Sequence, residues 1–133
     1  MGIEPWELRE PDFMNCTATS VLLVDGHVDT LSMLSALFSE YETSSVTCAS
    51  EAVLASERKH FDLFLVENWL PDESGVDLCR QLCASDPVCK VVFFSSQCTA
   101  LDISNAMAAG AADYVAKPNL YELVETVHSL LEH

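Results

Sequence analysis

The sequence predicts an α/β domain of the doubly wound kind, a parallel sheet with helices on both faces, and three observations predict it. Short apolar or β-branched runs alternate five times with stretches of helical periodicity. Most of these runs lack the polar alternation of a half-exposed strand, as strands buried on both sides do. The chain has 133 residues, half of them apolar and 20% charged, enough for one packed core and too few for a barrel of eight βα units.

The elements follow in order. The first run, Val21 to Val24, precedes Leu31, Leu34, Phe38 and Tyr41 at helical spacing. The second, Ser45 to Cys48, is the weakest and suits a sheet edge. The third, Asp62 to Val66, leads to a helix marked by Val76, Cys79, Leu82 and Cys83, whose first turn Asp72 and Glu73 favour. After the fourth, Lys90 to Phe94, comes a helix that Gly110 must stop. The fifth, Asp113 to Ala116, is followed by Pro118 as a helix start and by Leu120, Leu123, Val124, Val127 and Leu130. The order βαβαβαβαβα calls for right-handed crossovers between parallel strands. Residues 1–19, with two prolines and four acids, read as a flexible extension in which Met14 is a candidate native start. The domain is expected over 20–130, and 131–133 read as the start of a cloning linker and tag.

Charge excludes several function classes. Six Lys plus Arg against 21 Asp plus Glu leave a net charge of −15, the wrong sign for a phosphate backbone or an anionic membrane. The longest uncharged stretch, Phe13 to Val24, falls well short of the roughly 18–20 residues of a membrane helix. No apolar signal core precedes it, so the cytoplasm is the expected location. There the six cysteines should stay reduced. Cys79 and Cys83 share a helix face but have no histidine nearby, and read as buried fillers rather than metal ligands.

In a doubly wound sheet, ligands bind outside the carboxyl ends of the strands. The first, third, fourth and fifth runs end at Asp25, Glu67, Ser95 and Lys117, which brings two acids, a hydroxyl and an ammonium to one edge. These residues lie in segments that carry a resemblance: VLLVDGH at 21–27, DLFLVENWLPDESG at 62–75, VVFFSS at 91–96 and AGAADYVAKP at 109–118. With Pro71 four and Gly75 eight positions after Glu67, the stretch from about Ser20 to Leu130 resembles the receiver domain of two-component response regulators.

The resemblance implies the flavodoxin-like (βα)5 fold, with strand order 2-1-3-4-5, and a phosphoryl group accepted on an Asp after the third strand with Mg²⁺ assisting. It makes this chain an atypical member. Asp25 matches the first of two metal-binding acids, but Gly26 stands in place of the second, and Glu67 occupies the phosphoacceptor position. Trp69 sits where a backbone carbonyl completes the metal shell; Ser95, Tyr114 and Lys117 match the sensing hydroxyl, the switch aromatic and the phosphoryl-binding lysine. With Asp25 and Glu67 as its only carboxylates, the metal site is expected to be weak or vacant. The added methylene of Glu67 moves its oxygens about 1 Å toward Lys117 and Ser95, which can cost on the order of 100-fold in a positioned displacement.

The expectation is a non-enzymatic module that acts by protein–protein interaction without phosphorylation, a Glu67–Lys117 pair holding it in an active-like state. Its partner would be a histidine kinase, a phosphotransfer protein or an output domain, met through the face of the fourth helix, fifth strand and fifth helix, with a homodimer as a further option. A working Mg²⁺-dependent phosphoacceptor is the alternative. A phosphate-handling metalloenzyme is a second alternative, without support from a Gly-rich phosphate loop or nucleophile elbow. Plainer readings stand beside these: an inert Glu67–Lys117 salt bridge, a surface role for His27, simple packing for Tyr114, and an exposed Trp69.

Overall fold

The computed structural model describes residues 18–132, so the expected extension at 1–19 lies almost wholly outside the described residues, as does His133. Five strands and five helices alternate: β1 (Ser20–Val24), α1 (Val28–Leu37), β2 (Glu42–Val46), α2 (Ala49–Arg58), β3 (Leu63–Val66), α3 (Gly75–Ser85), β4 (Val91–Ser95), α4 (Ala100–Ala108), β5 (Asp113–Ala116) and α5 (Leu120–Leu131). The strands are all parallel, in the order β2-β1-β3-β4-β5, which is the expected flavodoxin-like topology with β2 at one edge.

Successive side chains of a strand point to opposite faces, and the core divides accordingly. Leu22, Val24, Phe64, Val66, Val91 and Phe93 pack under α2, α3 and α4 with Ala52, Leu78, Leu82 and Ala106. Val21, Leu23, Leu63, Leu65, Val92 and Phe94 pack under α1 and α5 with Leu31, Leu34, Leu123 and Val127. Because β1, β3 and β4 are covered twice, every residue in them is buried, and that is why they read as unbroken apolar strings.

Several local expectations are corrected. The second strand is Glu42–Val46 rather than Ser45 to Cys48: β1 pairs with it from Ser20↔Glu42 to Val24↔Val46, and Cys48 is the N-cap of α2. Tyr41 lies beyond α1, in the turn after it, although its ring still stacks on Phe38. The fifth helix starts at Leu120, not Pro118, because Asn119 caps it by accepting from the Glu122 N–H at 3.0 Å. It runs through Leu131, which packs against the core, so the packed body extends one residue past 130. Gly110 does end α4, with a φ of +110° that favours glycine.

Asp72 serves a different helix from the one expected. Helix α3 is capped by Ser74, whereas the Asp72 carboxylate accepts from the N–H groups of Ala49 at 2.9 Å and Ser50 at 3.0 Å, capping α2 from across the sheet edge. Those two bonds hold its carboxyl below the usual aspartate value. A lowered pKa means stability that is present at neutral pH and lost as the pH falls through the folded-state value. Asp72→Ala is therefore expected to cost about 1 kcal/mol at pH 7 by urea denaturation, the deficit closing as acid protonates the wild-type side chain.

Candidate functional site

Parallel strands deliver all their carboxyl ends to one edge, and the backbone ladder continues just past them. The Glu67 N–H donates to Val24 O at 2.9 Å, the Lys117 N–H to Ser95 O at 3.0 Å, and the Asp25 N–H to Val46 O at 3.2 Å. Three of the four predicted residues thus leave their strands with the main chain fixed, and Ser95, still within β4, is fully buried. Behind Glu67, α3 begins at Gly75 in very close approach: a Cβ there would stand 2.5 Å from the Glu67 carbonyl oxygen.

The four side chains meet. Lys117 Nζ lies 2.6 Å from Glu67 Oε1 and 2.9 Å from Asp25 Oδ2. Ser95 Oγ donates to Glu67 Oε2 at 2.6 Å, and the Trp69 N–H donates to the same oxygen at 3.1 Å. Asp25 Oδ1 accepts from the His27 N–H at 2.8 Å and faces His27 Nδ1 at 3.2 Å. All four carboxylate oxygens therefore have a partner from the chain itself. The carboxylates are 3% and 7% exposed and the lysine 20%, so the ions are largely removed from water and depend on one another. Burial by itself would push the Lys117 pKa down; hydrogen bonds and charge from Glu67 and Asp25 outweigh it and hold the ammonium above the ordinary lysine value.

A chain of contacts leads from this cluster to Tyr114. Ser95 Oγ, while donating to Glu67, accepts from the Gln97 N–H at 3.0 Å. The Gln97 carbonyl in turn accepts from the Tyr114 hydroxyl. The Tyr114 ring is 8% exposed and stacks face to face on Phe93, with centroids 5.1 Å apart. Burial raises its phenol pKa, the hydrogen bond from Asn68 opposing in part. Asn68 donates from Nδ2 to the Tyr114 hydroxyl at 3.4 Å and is itself 5% exposed.

Sequence reasoning missed Asn68 and Gln97, since a buried amide beside a strand end has no periodic signature. It placed Trp69 at the surface, and that side chain is 68% exposed. His27 is exposed as expected, yet its main chain and ring both face Asp25. At Gly26 a Cβ would meet the Pro71 ring at 3.3 Å, so a larger residue there needs Pro71 to give by a few tenths of an ångström.

Whether this donor set suits a hard divalent cation follows from the same distances. Such an ion wants carboxylate oxygens free to face it. Here the two carboxylates share one ammonium, their other oxygens accept from N–H and O–H groups, and position 26 supplies no oxygen side chain. The residues as arranged do not fit Mg²⁺. Among the described residues no helix is long and apolar enough to cross a membrane.

Comparison with known proteins points the same way as the fold. The sensory transduction protein RegX3 of Mycobacterium bovis (strain ATCC BAA-935 / AF2122/97) is 31% identical over 116 residues, 85% of this chain and 51% of that protein. The DNA-binding response regulator MtrA of Mycolicibacterium smegmatis is 30% identical over 121 residues, 89% of this chain and 53% of that protein. This chain thus spans about half the length of these curated relatives. The crystal structure of a two-component response regulator from Clostridium difficile superposes with a TM-score of 0.81 at 28% identity, covering 85% of this chain and 95% of that one. The response regulator receiver domain family matches residues 21–128. On that match, and on a sheet order and strand-end cluster reached independently of it, the chain belongs to the response regulator receiver domain family.

Proposed function

We propose that this receiver domain signals without being phosphorylated, its own Glu67 carboxylate standing where a phosphoryl group would act. One observation carries the reading: Glu67 engages Lys117 Nζ and Ser95 Oγ together, each at 2.6 Å, the two groups that the family resemblance assigns to the phosphoryl oxygens. The inward, buried Tyr114 supports it, being tied through Gln97 to the serine that Glu67 holds. In this reading Mg²⁺ binds weakly or not at all, and the domain has no enzymatic role. The test is intact mass after incubation with acetyl phosphate and Mg²⁺. The expected result is an unmodified chain, whereas a stoichiometric gain of about 80 Da on Glu67 would establish the phosphoacceptor reading instead.

The partner in this proposal is a protein: a histidine kinase, a phosphotransfer protein or an output domain, in the cytoplasm. The net charge of −15 argues against direct contact with nucleic acid or membrane. Helix α4 supports the idea of an apolar docking face, since Leu101, Ile103 and Met107 are exposed there and Tyr121 is exposed on α5. Asp102, the one charge on α4, is engaged in a capping box with Thr99. Association through this face, homodimerisation included, is expected to be nearly independent of salt. Sedimentation in low salt and in about 0.5 M salt checks this, and a dimer that dissociates in the higher salt would assign the contact to ion pairs elsewhere.

A further inference from the structure

A second cluster, remote from the acidic edge, has no part in the proposal above. Cys83 in the last turns of α3 and Cys89 in the loop leading to β4 place their sulfurs 3.7 Å apart. Both are partly exposed. Cys89 also lines a cleft of about 130 Å³ with Lys59, His60, Phe61 and Leu82, room enough for a hydrogen peroxide molecule. We propose that Cys83 and Cys89 form a reversible peroxide-sensitive thiol pair, closing to a disulfide when a hydroperoxide reaches them.

The two sulfurs are already in contact, and only six positions separate the residues, so closure demands a local approach and no refolding. Burial, and then Cys83, push the Cys89 thiol up to about 12, which keeps it protonated and leaves the first attack on peroxide to Cys83. In the first step the Cys83 thiolate attacks the peroxide: a sulfur–oxygen bond forms, the oxygen–oxygen bond breaks, and the departing hydroxide leaves as water with a proton. Cys83 is then a sulfenic acid. Cys89 sulfur next attacks Cys83 sulfur; the disulfide forms, the sulfur–oxygen bond breaks, and hydroxide departs with the Cys89 proton as water. Two thiols are oxidised and one molecule of hydrogen peroxide is reduced to two molecules of water. In the reduced state Cys83 donates its S–H to Gly110 O at 3.7 Å, and the buried Cys79 donates to Ala109 O, also at 3.7 Å. Oxidation removes the first of these donors, so the redox state of the pair is felt at the carboxyl end of α4.

The experiment treats the full chain with hydrogen peroxide, alkylates the remaining thiols and digests with trypsin. Cleavage after Arg80 and Lys90 puts Cys83 and Cys89 in one peptide with no other cysteine. That peptide is expected to escape alkylation and to be about 2 Da lighter than its reduced form, and dithiothreitol should restore it. Cys83→Ser and Cys89→Ser should each abolish the change, while Cys98→Ser should leave it intact. The proposal is overturned if the peptide instead gains oxygen atoms without closing, if it stays fully alkylated, or if the disulfide joins Cys16, Cys48 or Cys98.

Discussion

Lys117→Met is expected to cost about 2–4 kcal/mol of folding stability at pH 7, a large share of what a domain of this size has. Removing one partner from a buried ion pair typically costs about 3–5 kcal/mol, because a charge is left behind in a medium that solvates it poorly. Here two charges are left, Asp25 and Glu67, both nearly buried. The lower range allows for Lys117 being 20% exposed, which lets water take over part of its role. The pH dependence has a definite sign. Folding raises the lysine pKa, so its contribution is complete below the unfolded value and is lost as the pH rises through the folded one. In the variant, lowering the pH lets the uncompensated carboxylates take up protons, and the deficit relative to wild type should shrink. Pairing Lys117→Met with Glu67→Gln should cost less than the sum of the two, since each removes a charge that the other leaves stranded. Urea midpoints at several pH values give these quantities, and a loss below about 1 kcal/mol would mean the triad behaves as a solvated surface pair.

The sequence revealed this site and not its supports, for a physical reason. Asp25, Glu67, Ser95 and Lys117 each follow or end an apolar run, and a parallel sheet brings the ends of its strands together whatever the loops do. Their meeting therefore follows from the order of elements alone. The run Glu42–Val46 was harder to place because it is an edge strand of mostly polar, half-exposed residues, fixed by pairing with β1 rather than by its own pattern. Asp72 caps a helix more than twenty positions earlier in the chain, and Asn68 reaches Tyr114 from the far side of β4. Such contacts are settled by tertiary packing and leave no local signature. The boundaries of α1 and α5 slipped for a related reason: Tyr41 and Pro118 keep the apolar or helix-starting character of their neighbours while the backbone hydrogen bonds stop short of them.

If the domain signals unphosphorylated as proposed, Glu67→Asp combined with Gly26→Asp is expected to give a chain that gains about 80 Da with acetyl phosphate and Mg²⁺ where the wild type gains none. Glu67 now grips Lys117 and Ser95 directly, at 2.6 Å each, so neither group is open to an incoming phosphoryl oxygen. Shortening the side chain by one methylene withdraws the carboxylate by about 1 Å, the scale of misplacement that decides a positioned displacement. It frees both groups and exposes an oxygen for attack. By itself that change leaves too few carboxylates for a hard cation, and Gly26→Asp by itself adds a carboxylate beside an acceptor still clamped by the lysine. Each single variant should therefore stay unmodified, because acceptor and carboxylate pair act as a unit and their effects do not add. Position 26 tolerates the change if the Pro71 ring yields slightly from its 3.3 Å approach, and Pro71 lies at the surface where it can. Ser95 and Lys117 already occupy the receiving positions in this scheme, so no third substitution is called for. Labelling of the Glu67→Asp variant alone would show that the missing acid at position 26 is immaterial. A folded double variant that remains unlabelled would show that the obstacle lies in the loop carrying Pro71 rather than in the charged residues.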